Sequence, residues 1–428
     1  MAFETITPDA LAARLAGGGE TAVLDVRDEA RFLAGHLLPA VHAPVGRLLD
    51  LVPGFVPRRA TPLVLCDDGA KDGGLAEEVA ERLGTAGYDR LLILEGGVPA
   101  WRAAGREAFE TGYAMANCFG LAVEACYGTP RIDGAELMRR QAAGEPLLIV
   151  DSRPFEEFHA ATVPGAINLP VAELFHRIAD HLPNLETTVV VHCGGKTRGV
   201  LGCQSLINAG LANPVVALDQ GTMDWVLAGG RLEEGAERTP APPSETARTA
   251  ALRSADEIAR RFAVPSLSVD ALAAWRRDSE DRTLYIVDVR SREEYEAGHL
   301  PDARWIPGGQ LAGCTEDYIA TRNARLCLVD DDGARAMLTA SWMLQAGWPE
   351  VAVLAGGLEG QDLVRGPDPL GASATDAPAD EGPPPDEAQV LESYGDSIAW
   401  RSGLLDRFAR DGTLAFALPS QAGSSTKT

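Results

Sequence analysis

One cysteine stands in a segment whose composition suits an activated thiol. Cys193 follows the β-branched run 188–192 and precedes a helical pattern from Val200 to Ala209. At the tip of a strand, on a short turn that leads into a helix, a sulfur faces backbone N–H groups and the positive end of the helix dipole. Because this setting favours a thiolate and binds an anion beside it, we predict that Cys193 is a catalytic nucleophile.

The residues that follow Cys193 complete an anion-binding turn. Their glycines let the backbone approach a ligand closely, and their cations add positive charge within the same turn. Four residues separate Cys193 from Arg198, which closes the loop. A buried strand-end cysteine without chemistry is the alternative interpretation. The predicted substrate-binding residues are Gly194, Gly195, Lys196, Thr197 and Arg198.

The same order of motifs occurs three times along the chain. Each copy has a β-run that ends in Asp-x-Arg, a helical stretch, a turn, a second β-run with a loop, and a helix that stops at Ala-Gly. The loops begin 41, 42 and 42 residues after the aspartate of Asp-x-Arg, at Cys66, Cys193 and Asp330. This spacing is too long for a solenoid repeat, so it predicts three tandem α/β domains. The Asp-x-Arg motifs are residues 25–27, 151–153 and 288–290.

The ordered set of motifs resembles the rhodanese (sulfurtransferase) family. Besides the Asp-x-Arg strands, the Gly-His-Leu-Pro turn at 298–301, the Cys-x-x-x-x-Arg loop at 193–198 and the Glu-Gly-Gly-x-x-Ala-Trp ending at 95–101 match. The resemblance covers residues 1–365. It implies that each domain is a parallel sheet flanked by helices, and that sulfur is carried as a cysteine persulfide. A phosphatase relative would place five residues between cysteine and arginine, so the shorter loop suits transfer of one sulfur atom.

The loops of the first and third copies differ from the second. In the first copy, Asp67 and Asp68 follow Cys66, and their charge opposes a thiolate and repels an anionic donor. Cys66 and Lys71 are therefore candidates for a weaker second site. In the third copy Asp330 stands at the cysteine position. Because a carboxylate cannot carry a persulfide, this domain is predicted to be inactive.

The first copy is also longer between its loop and the Ala-Gly stop. It has 21 residues there, counted from Cys66, against 17 in the other two copies. If the extra residues lie in the helix, that helix is one turn longer. If they lie in the loop, Lys71 is not equivalent to Arg198 and the anion cradle is lost.

Shifts in composition divide the chain into domains and connecting segments. Stretches rich in Pro, Glu, Asp and Ala are typical of flexible linkers, whereas the connector after the first domain has helix-like apolar positions and is expected to pack against both neighbours. The final segment has an amphipathic pattern that predicts a helix docked onto a domain, with a partner-binding helix as the alternative. The predicted boundaries are 1–112 (first domain), 113–130 (helical connector), 131–236 (second domain), 237–264 (linker), 265–368 (third domain), 369–389 (linker) and 390–428 (C-terminal helical tail).

Composition and charge limit the classes of partner. The chain has 38 Lys and Arg against 62 Asp and Glu, and its formal net charge of −24 argues against binding to nucleic acid or an anionic membrane. No apolar stretch reaches the roughly 18 residues of a membrane span, and no secretory signal is recognised. Seven cysteines without Cys-x-x-Cys pairs suit neither a disulfide framework nor a zinc site. A cytoplasmic protein without metal or other cofactor is predicted.

These observations together predict a sulfurtransferase with one active site. Cys193 would take sulfur from a small sulfur-donor anion such as thiosulfate and pass it to a thiol, to cyanide or to a protein cysteine. Two alternatives stay open. One is a non-catalytic persulfide-binding or scaffold protein, and the other is a phosphatase or arsenate reductase.

Overall fold

The computed structural model describes residues 3–70, 74–371 and 387–419. They form three α/β domains in sequence, each built on a parallel sheet, and a pair of helices at the C-terminal end. No helix within these residues is long and apolar enough to cross a membrane. Short 3₁₀ turns lie at Val45–Arg47, Ile178–His181, Asp278–Glu280 and Thr315–Asp317.

The first domain surrounds a parallel sheet. Its elements are β1 (Glu4–Ile6), α1 (Pro8–Ala16), β2 (Thr21–Asp25), α2 (Glu29–Leu33), β3 (Val41–His42), α3 (Leu48–Phe55), β4 (Leu63–Cys66), α4 (Leu75–Thr85), β5 (Leu91–Leu94) and α5 (Gly97–Ala103). The strand order is β1-β5-β4-β2, with β3 also beside β2. All five residues of β2 are buried, as expected for a strand covered by helices on both faces. Helix α6 (Ala114–Tyr127) then connects this domain to the next.

The second domain repeats the arrangement and carries the Cys193 loop. Its elements are β6 (Arg131–Ile132), α7 (Gly134–Ala142), β7 (Leu147–Asp151), α8 (Phe155–Ala160), β8 (Ile167–Asn168), α9 (Val171–Arg177), β9 (Thr188–His192), α10 (Thr197–Asn208), β10 (Val215–Leu218) and α11 (Thr222–Leu227). The strand order is β6-β10-β9-β7-β8, and all pairs are parallel. Asp151 at the end of β7 pairs with His192 at the end of β9, so Cys193 begins the loop at the carboxyl edge of the sheet.

The segment predicted as a linker at 237–264 is instead largely helical. Residues Glu245–Phe262 form α12, which begins at the N-cap Ser244. One side of this helix is buried in a core shared with the third domain, because its small side chains recur every four residues. The flexible-linker interpretation of this segment was wrong. The buried residues of α12 are Ala247, Ala251, Ala255 and Ile258.

The third domain has the same topology and contacts both of the others. Its elements are β11 (Ser266–Leu267), α13 (Val269–Arg277), β12 (Leu284–Asp288), α14 (Arg292–Ala297), β13 (Ala303–Trp305), α15 (Gly308–Gly313), β14 (Thr321–Arg322), β15 (Arg325–Val329), α16 (Ala334–Gln345) and β16 (Glu350–Leu354). The strand order is β11-β16-β15-β12-β13. Strand β14 leaves this sheet and pairs antiparallel with β2 of the first domain.

Two helices near the C-terminus pack back onto the body of the molecule. They are α17 (Glu387–Arg401) and α18 (Leu404–Asp411). Leu404 is fully buried in a cluster with Leu38 and Phe109 of the first domain and Cys118 of α6. Most of the predicted linker 369–389 and the end of the tail lie outside the described residues. The docked position of these helices brings the end of α17 to the second domain.

Candidate active site

The loop between β9 and α10 holds Cys193 at the edge of the sheet. The Cys193 side chain is buried, and its carbonyl oxygen accepts the N–H of Thr222 at 2.9 Å. Gly221 makes this contact possible, because it has a φ of +58° and a Cβ there would lie 2.1 Å from the Cys193 carbonyl oxygen. The Thr222 hydroxyl also donates to the Gly194 carbonyl at 3.1 Å. The first residue of α11 therefore holds the Cys193 loop in place through these two hydrogen bonds.

The N-terminal end of α10 supplies backbone hydrogen-bond donors that follow closely after Cys193 in the chain. Within the described parts of the chain, no protein oxygen accepts the backbone N–H of Lys196, Arg198 or Gly199. The first N–H groups of a helix need partners from outside the helix. Such a set of donors is suited to an anion.

In the third domain, a carboxylate occupies the position of the nucleophile and binds such a set of N–H groups. In the strand register Asp330 corresponds to Cys193, since Asp288 pairs with Val329 as Asp151 pairs with His192. The Asp330 carboxylate accepts three backbone N–H groups of its own loop, at 2.5, 2.9 and 3.1 Å. The donors are Gly333, Arg335 and Ala336, which correspond to Lys196, Arg198 and Gly199 of the second domain.

The position of Asp330 has an electrostatic cost that its hydrogen bonds offset in part. Its side chain is fully buried, and burial raises the pKa of this carboxyl to about 6. The third domain thus supplies a negative group of its own at the position of the thiol. Its inactivity in sulfur transfer stays a prediction.

Lys196 does not add free positive charge to the loop, contrary to the sequence-based expectation. Its ammonium is buried between Asp219 and Glu124, at 2.7 and 2.8 Å. Arg131 contacts the same two carboxylates, so the charges of this cluster balance. Lys196 therefore joins the loop to α6 and to the end of β10, and is not oriented to bind a donor.

Arg198 is also engaged within the protein. Its guanidinium donates to both oxygens of Glu157, at 2.5 and 2.8 Å, and to Gln310 of the third domain at 2.9 Å. Although burial acts in the opposite direction, Cys314 and Glu157 raise the pKa of Arg198 above its ordinary value. The side chain expected to bind the donor instead links the Cys193 loop to α8 and α15.

Thr197 has a similar positioning contact. Its hydroxyl donates to the Ala116 carbonyl of α6 at 3.1 Å. The adjoining Gly120 packs so closely that a Cβ there would lie 2.8 Å from the Thr197 hydroxyl oxygen. The side chain of Thr197 thus holds α6 against the loop.

Guanidinium groups lie beside the two glycines after Cys193. Arg153 forms an ion pair with Asp151, with Nη2 at 2.7 Å from a carboxylate oxygen. Its Nη1 lies 3.6 Å from the point where a Cβ on Gly194 would be, which is an ordinary contact. Arg401 of α17 approaches Gly195 more closely, since its Nη2 lies 2.9 Å from the point where a Cβ there would be. Neither contact was predicted. The Arg153 contact follows from the Asp-x-Arg motif, whereas no local pattern marks Arg401.

Carboxylates fill the corresponding space in the other two domains. Arg27 of the first domain approaches Asp68 at 3.4 Å, and Arg290 of the third domain pairs with Asp331 at 2.7 Å. In the second domain Gly194 replaces these aspartates, and the nearest carboxylate to Arg153 Nη1 is 3.9 Å away. The second domain is therefore the copy whose loop places no carboxylate beside this arginine.

The predicted second site at Cys66 is not formed. Cys66 is the last residue of β4 and pairs with Asp25, so it corresponds to His192 and lies one residue before the nucleophile position. It is fully buried, and burial raises the pKa of its thiol well above the ordinary value. Asp67 occupies the nucleophile position, and its carboxylate accepts the N–H groups of Gly69 and Ala76 at 2.7 and 3.0 Å.

The extra residues of the first copy lie in its loop. Helix α4 has 11 residues and begins at Leu75, while α10 and α16 have 12 residues each. Counting back from the Ala-Gly stops, Leu75 stands where the second domain has Arg198. Lys71 lies outside the described residues. The first copy thus lacks both the thiol and the arginine of the second.

A cavity of about 1290 Å³ lies in front of the Cys193 loop. The second domain forms one wall, and Trp305 and Tyr318 of the third domain and Tyr394 of α17 contribute to the others. This volume exceeds the usual range of roughly 300–1,000 Å³ for small-molecule sites. Across the described residues, no group of three or more His, Cys, Asp or Glu side chains is arranged to hold a metal ion.

Comparison with known proteins adds independent information on this architecture. A family model described as rhodanese-like domain matches residues 7–104, 133–228 and 268–361, which is more than half of the chain. The crystal structure of thiosulfate sulfurtransferase from Pseudomonas aeruginosa is similar with a TM-score of 0.85 and 31% sequence identity, covering 97% of this chain and 99% of that chain.

Two proteins of Mycobacterium tuberculosis are similar over part of the chain. The HTH-type transcriptional regulator Rv0324 is 35% identical over 169 residues, covering 39% of this chain and 70% of the relative. A protein provisionally named thiosulfate sulfurtransferase SseB is 30% identical over 203 residues, covering 39% of this chain and 69% of the relative.

Proposed function

Since the chain belongs to the rhodanese family, we propose that it moves a sulfane sulfur from thiosulfate or a related donor to a thiophilic acceptor through a persulfide on Cys193. Sulfur transfer is supported at the level of the family by the similarity to the Pseudomonas aeruginosa thiosulfate sulfurtransferase. The assignment to Cys193 rests on the geometry of its loop.

The observation that carries the proposal is the Asp330 carboxylate of the third domain. It lies at the nucleophile position and accepts three backbone N–H groups. A loop of the same length in the second domain presents the corresponding N–H groups to Cys193. Donors that can hold a carboxylate can also hold a thiolate or the terminal sulfur of a persulfide, since both carry negative charge.

The reaction proceeds in two half-reactions. The Cys193 thiolate attacks the outer sulfur of thiosulfate, a new S–S bond forms, and the S–S bond of thiosulfate breaks so that its electron pair leaves with sulfite. An acceptor such as cyanide, a thiol or a protein cysteine then attacks the terminal sulfur of the persulfide. The Cys193 thiolate leaves with the electron pair of that bond and is ready for another donor.

The loop contributes to both half-reactions through preorganised hydrogen bonds. The N–H groups of Lys196, Arg198 and Gly199 stabilise negative charge on sulfur without a rearrangement of the backbone. Arg153 Nη1 faces the loop beside Gly194 and can bind an oxygen of the donor. The cavity in front of the loop has room for an acceptor larger than cyanide.

Steady-state kinetics test this function. Thiosulfate:cyanide transfer by the purified full chain should follow ping-pong kinetics, because the two substrates share one covalent intermediate. Cys193→Ser should abolish turnover, while the matched Cys66→Ser variant should retain it, because Cys66 lies outside the nucleophile position. Turnover that survives in Cys193→Ser would refute the assignment.

A further inference from the structure

A side chain from the C-terminal helix α17 reaches the Cys193 loop. Arg401 Nη2 lies 2.9 Å from the point where a Cβ on Gly195 would be. Arg401 Nε donates to Oδ1 of Asn117 at 2.9 Å, and Nη1 donates to Oε1 of Gln220 at 3.0 Å. Asn117 belongs to α6 and Gln220 to the turn before α11. The guanidinium is therefore held from two sides, with its Nη2 edge directed at the loop.

The charge of Arg401 differs from that of the other cations near the loop. Lys196 lies between two carboxylates, and Arg198 is paired with one. In the parts of the chain that the structure describes, Arg401 forms no ion pair, and both of its acceptors are neutral amide oxygens. Its Nη2 donates to no protein oxygen there. The positive charge of Arg401 is thus positioned without being neutralised.

The surroundings of Arg401 favour an anion beside it. The side chain is partly buried, and burial lowers the pKa of Arg401 from its ordinary value, while Cys193 and Asp219 act in the opposite direction. Arginine nevertheless stays protonated in proteins. A partly desolvated cation without an anionic partner costs free energy, and a bound anion removes much of that cost.

We propose that Arg401 binds the anionic sulfur donor beside Cys193, so that α17 completes the active site of the second domain. The proposal rests on the proposed function and adds a donor-binding residue from another part of the chain. The ligand class is a small dianion with oxygen acceptors, as in thiosulfate. Nη2 holds its oxygens while the outer sulfur meets the Cys193 thiolate.

Kinetics of three variants test the role of Arg401. Arg401→Gln should lower kcat/KM for thiosulfate about ten- to a hundredfold, the usual loss for a charge-assisted contact. The KM for cyanide should change little, because the second half-reaction does not use the donor. Arg401→Lys keeps the charge but not the fork of donors, so it should fall between Arg401→Gln and the unmodified chain.

The matched control is Arg410→Gln in the same pair of helices. The Arg410 side chain is 62% exposed and pairs with Glu107, away from the loop. Its replacement should leave kcat/KM for thiosulfate unchanged. If Arg401→Gln also stays within about twofold of the unmodified chain, the proposal is refuted.

A second measurement separates anion binding from a merely structural contact. Cys193 is alkylated with iodoacetate, which is anionic, and with iodoacetamide, which is neutral. Arg401→Gln should slow the reaction with iodoacetate much more than that with iodoacetamide. Equal slowing of both would show that Arg401 only maintains the loop, and would overturn the proposal.

The alkylation ratio also distinguishes failure of this proposal from failure of the proposed function. If the unmodified chain did not take sulfur from thiosulfate but kept an Arg401-dependent preference for iodoacetate, sulfur transfer would be wrong and anion binding by Arg401 would stand. If the unmodified chain transferred sulfur but showed no such preference for iodoacetate, the proposed function would stand and anion binding by Arg401 would be refuted.

A double variant tests the contact at Gly195 itself. A Cβ at this position collides with Arg401 Nη2, so Gly195→Ala should displace the guanidinium and reduce use of thiosulfate. The same change should have a smaller effect in the Arg401→Gln background, because the two residues act through one contact. Fully additive losses would contradict the proposed contact.

Discussion

Asp67 of the first domain and Cys193 of the second occupy the same position in their repeats. The Asp67 carbonyl accepts the N–H of Val98 at 2.9 Å, and the Cys193 carbonyl accepts the N–H of Thr222 at the same distance. With Asp330 in the third domain, two of the three repeats carry a carboxylate where sulfur chemistry needs a thiol. The proposed chemistry is therefore confined to one domain. In the other two, the carboxylate itself accepts the N–H groups of the loop, in the place of a bound anion.

The contact between Gly221 and the loop leads to a sharp prediction. Gly221→Ala should reduce thiosulfate:cyanide transfer at least about a hundredfold, because its Cβ would meet the Cys193 carbonyl oxygen and displace the loop. Gly229 also has a positive φ, but a Cβ there would meet no other atom. Gly229→Ala therefore places a side chain at a positive φ without the collision, and should lose little activity. Equal losses in the two variants would contradict this account of the loop.

The buried ammonium of Lys196 predicts an effect on donor binding through charge. Lys196→Met leaves Glu124 and Asp219 facing each other beside the loop, and their charge should lower kcat/KM for thiosulfate about tenfold. Arg131 contacts the same two carboxylates from the solvent side, with its side chain 54% exposed. Arg131→Met is the matched control and should change activity by less than about twofold, since exposed ion pairs are weak.

Asp330 predicts a pH dependence of stability. Folding raises the pKa of this carboxyl from 3.8 to about 6, so the folded state binds the proton more tightly. Its contribution to stability is therefore present below about pH 4 and is lost as pH rises through 6. Asp330→Asn removes the titrating carboxyl. Between pH 4 and 6, the free energy of unfolding of this variant should therefore fall less than that of the unmodified chain. The difference over this range should be about 2 kcal/mol.

Urea unfolding followed by tryptophan fluorescence over this pH range measures the effect. Asp332 in the same loop provides a control. Although burial opposes it, the contact with His176 lowers the pKa of Asp332. Stability from this group is lost only as pH falls below about 4, so Asp332→Asn should leave the change in the free energy of unfolding between pH 4 and 6 as it is in the unmodified chain. A pH profile that is unchanged in Asp330→Asn would show that this carboxyl keeps an ordinary pKa.

The three-domain architecture could be predicted because its signals are local and repeated. Each copy carries β-branched runs, turn residues and Ala-Gly helix ends in one order. The error at 237–264 came from weighing its Pro and Glu content above its helical pattern. Ser244 caps the helix by accepting the Ala247 N–H at 3.1 Å, and alanines recur at four-residue spacing after it. Both signals were present in the sequence.

The site was predicted in part, for a physical reason. Cys193 and its backbone donors follow from a strand, a turn and a helix that are adjacent in sequence. The misplacement of Cys66 had a signal, since its distance from Asp25 is 41 residues where the other copies have 42. The engaged state of Lys196 and the approach of Arg401 depend on how α6 and α17 dock, and contacts between distant segments leave no local pattern.

The most direct test of the central claim is the location of the transferred sulfur. The full chain is incubated with thiosulfate in the absence of an acceptor, freed of small molecules, digested and mapped by mass spectrometry, and released sulfite is quantified. The account predicts one added sulfur atom per chain, on the peptide that contains Cys193, with one equivalent of sulfite. Sulfur on Cys66 or another cysteine, or sulfite release with Cys193 unmodified, would contradict it.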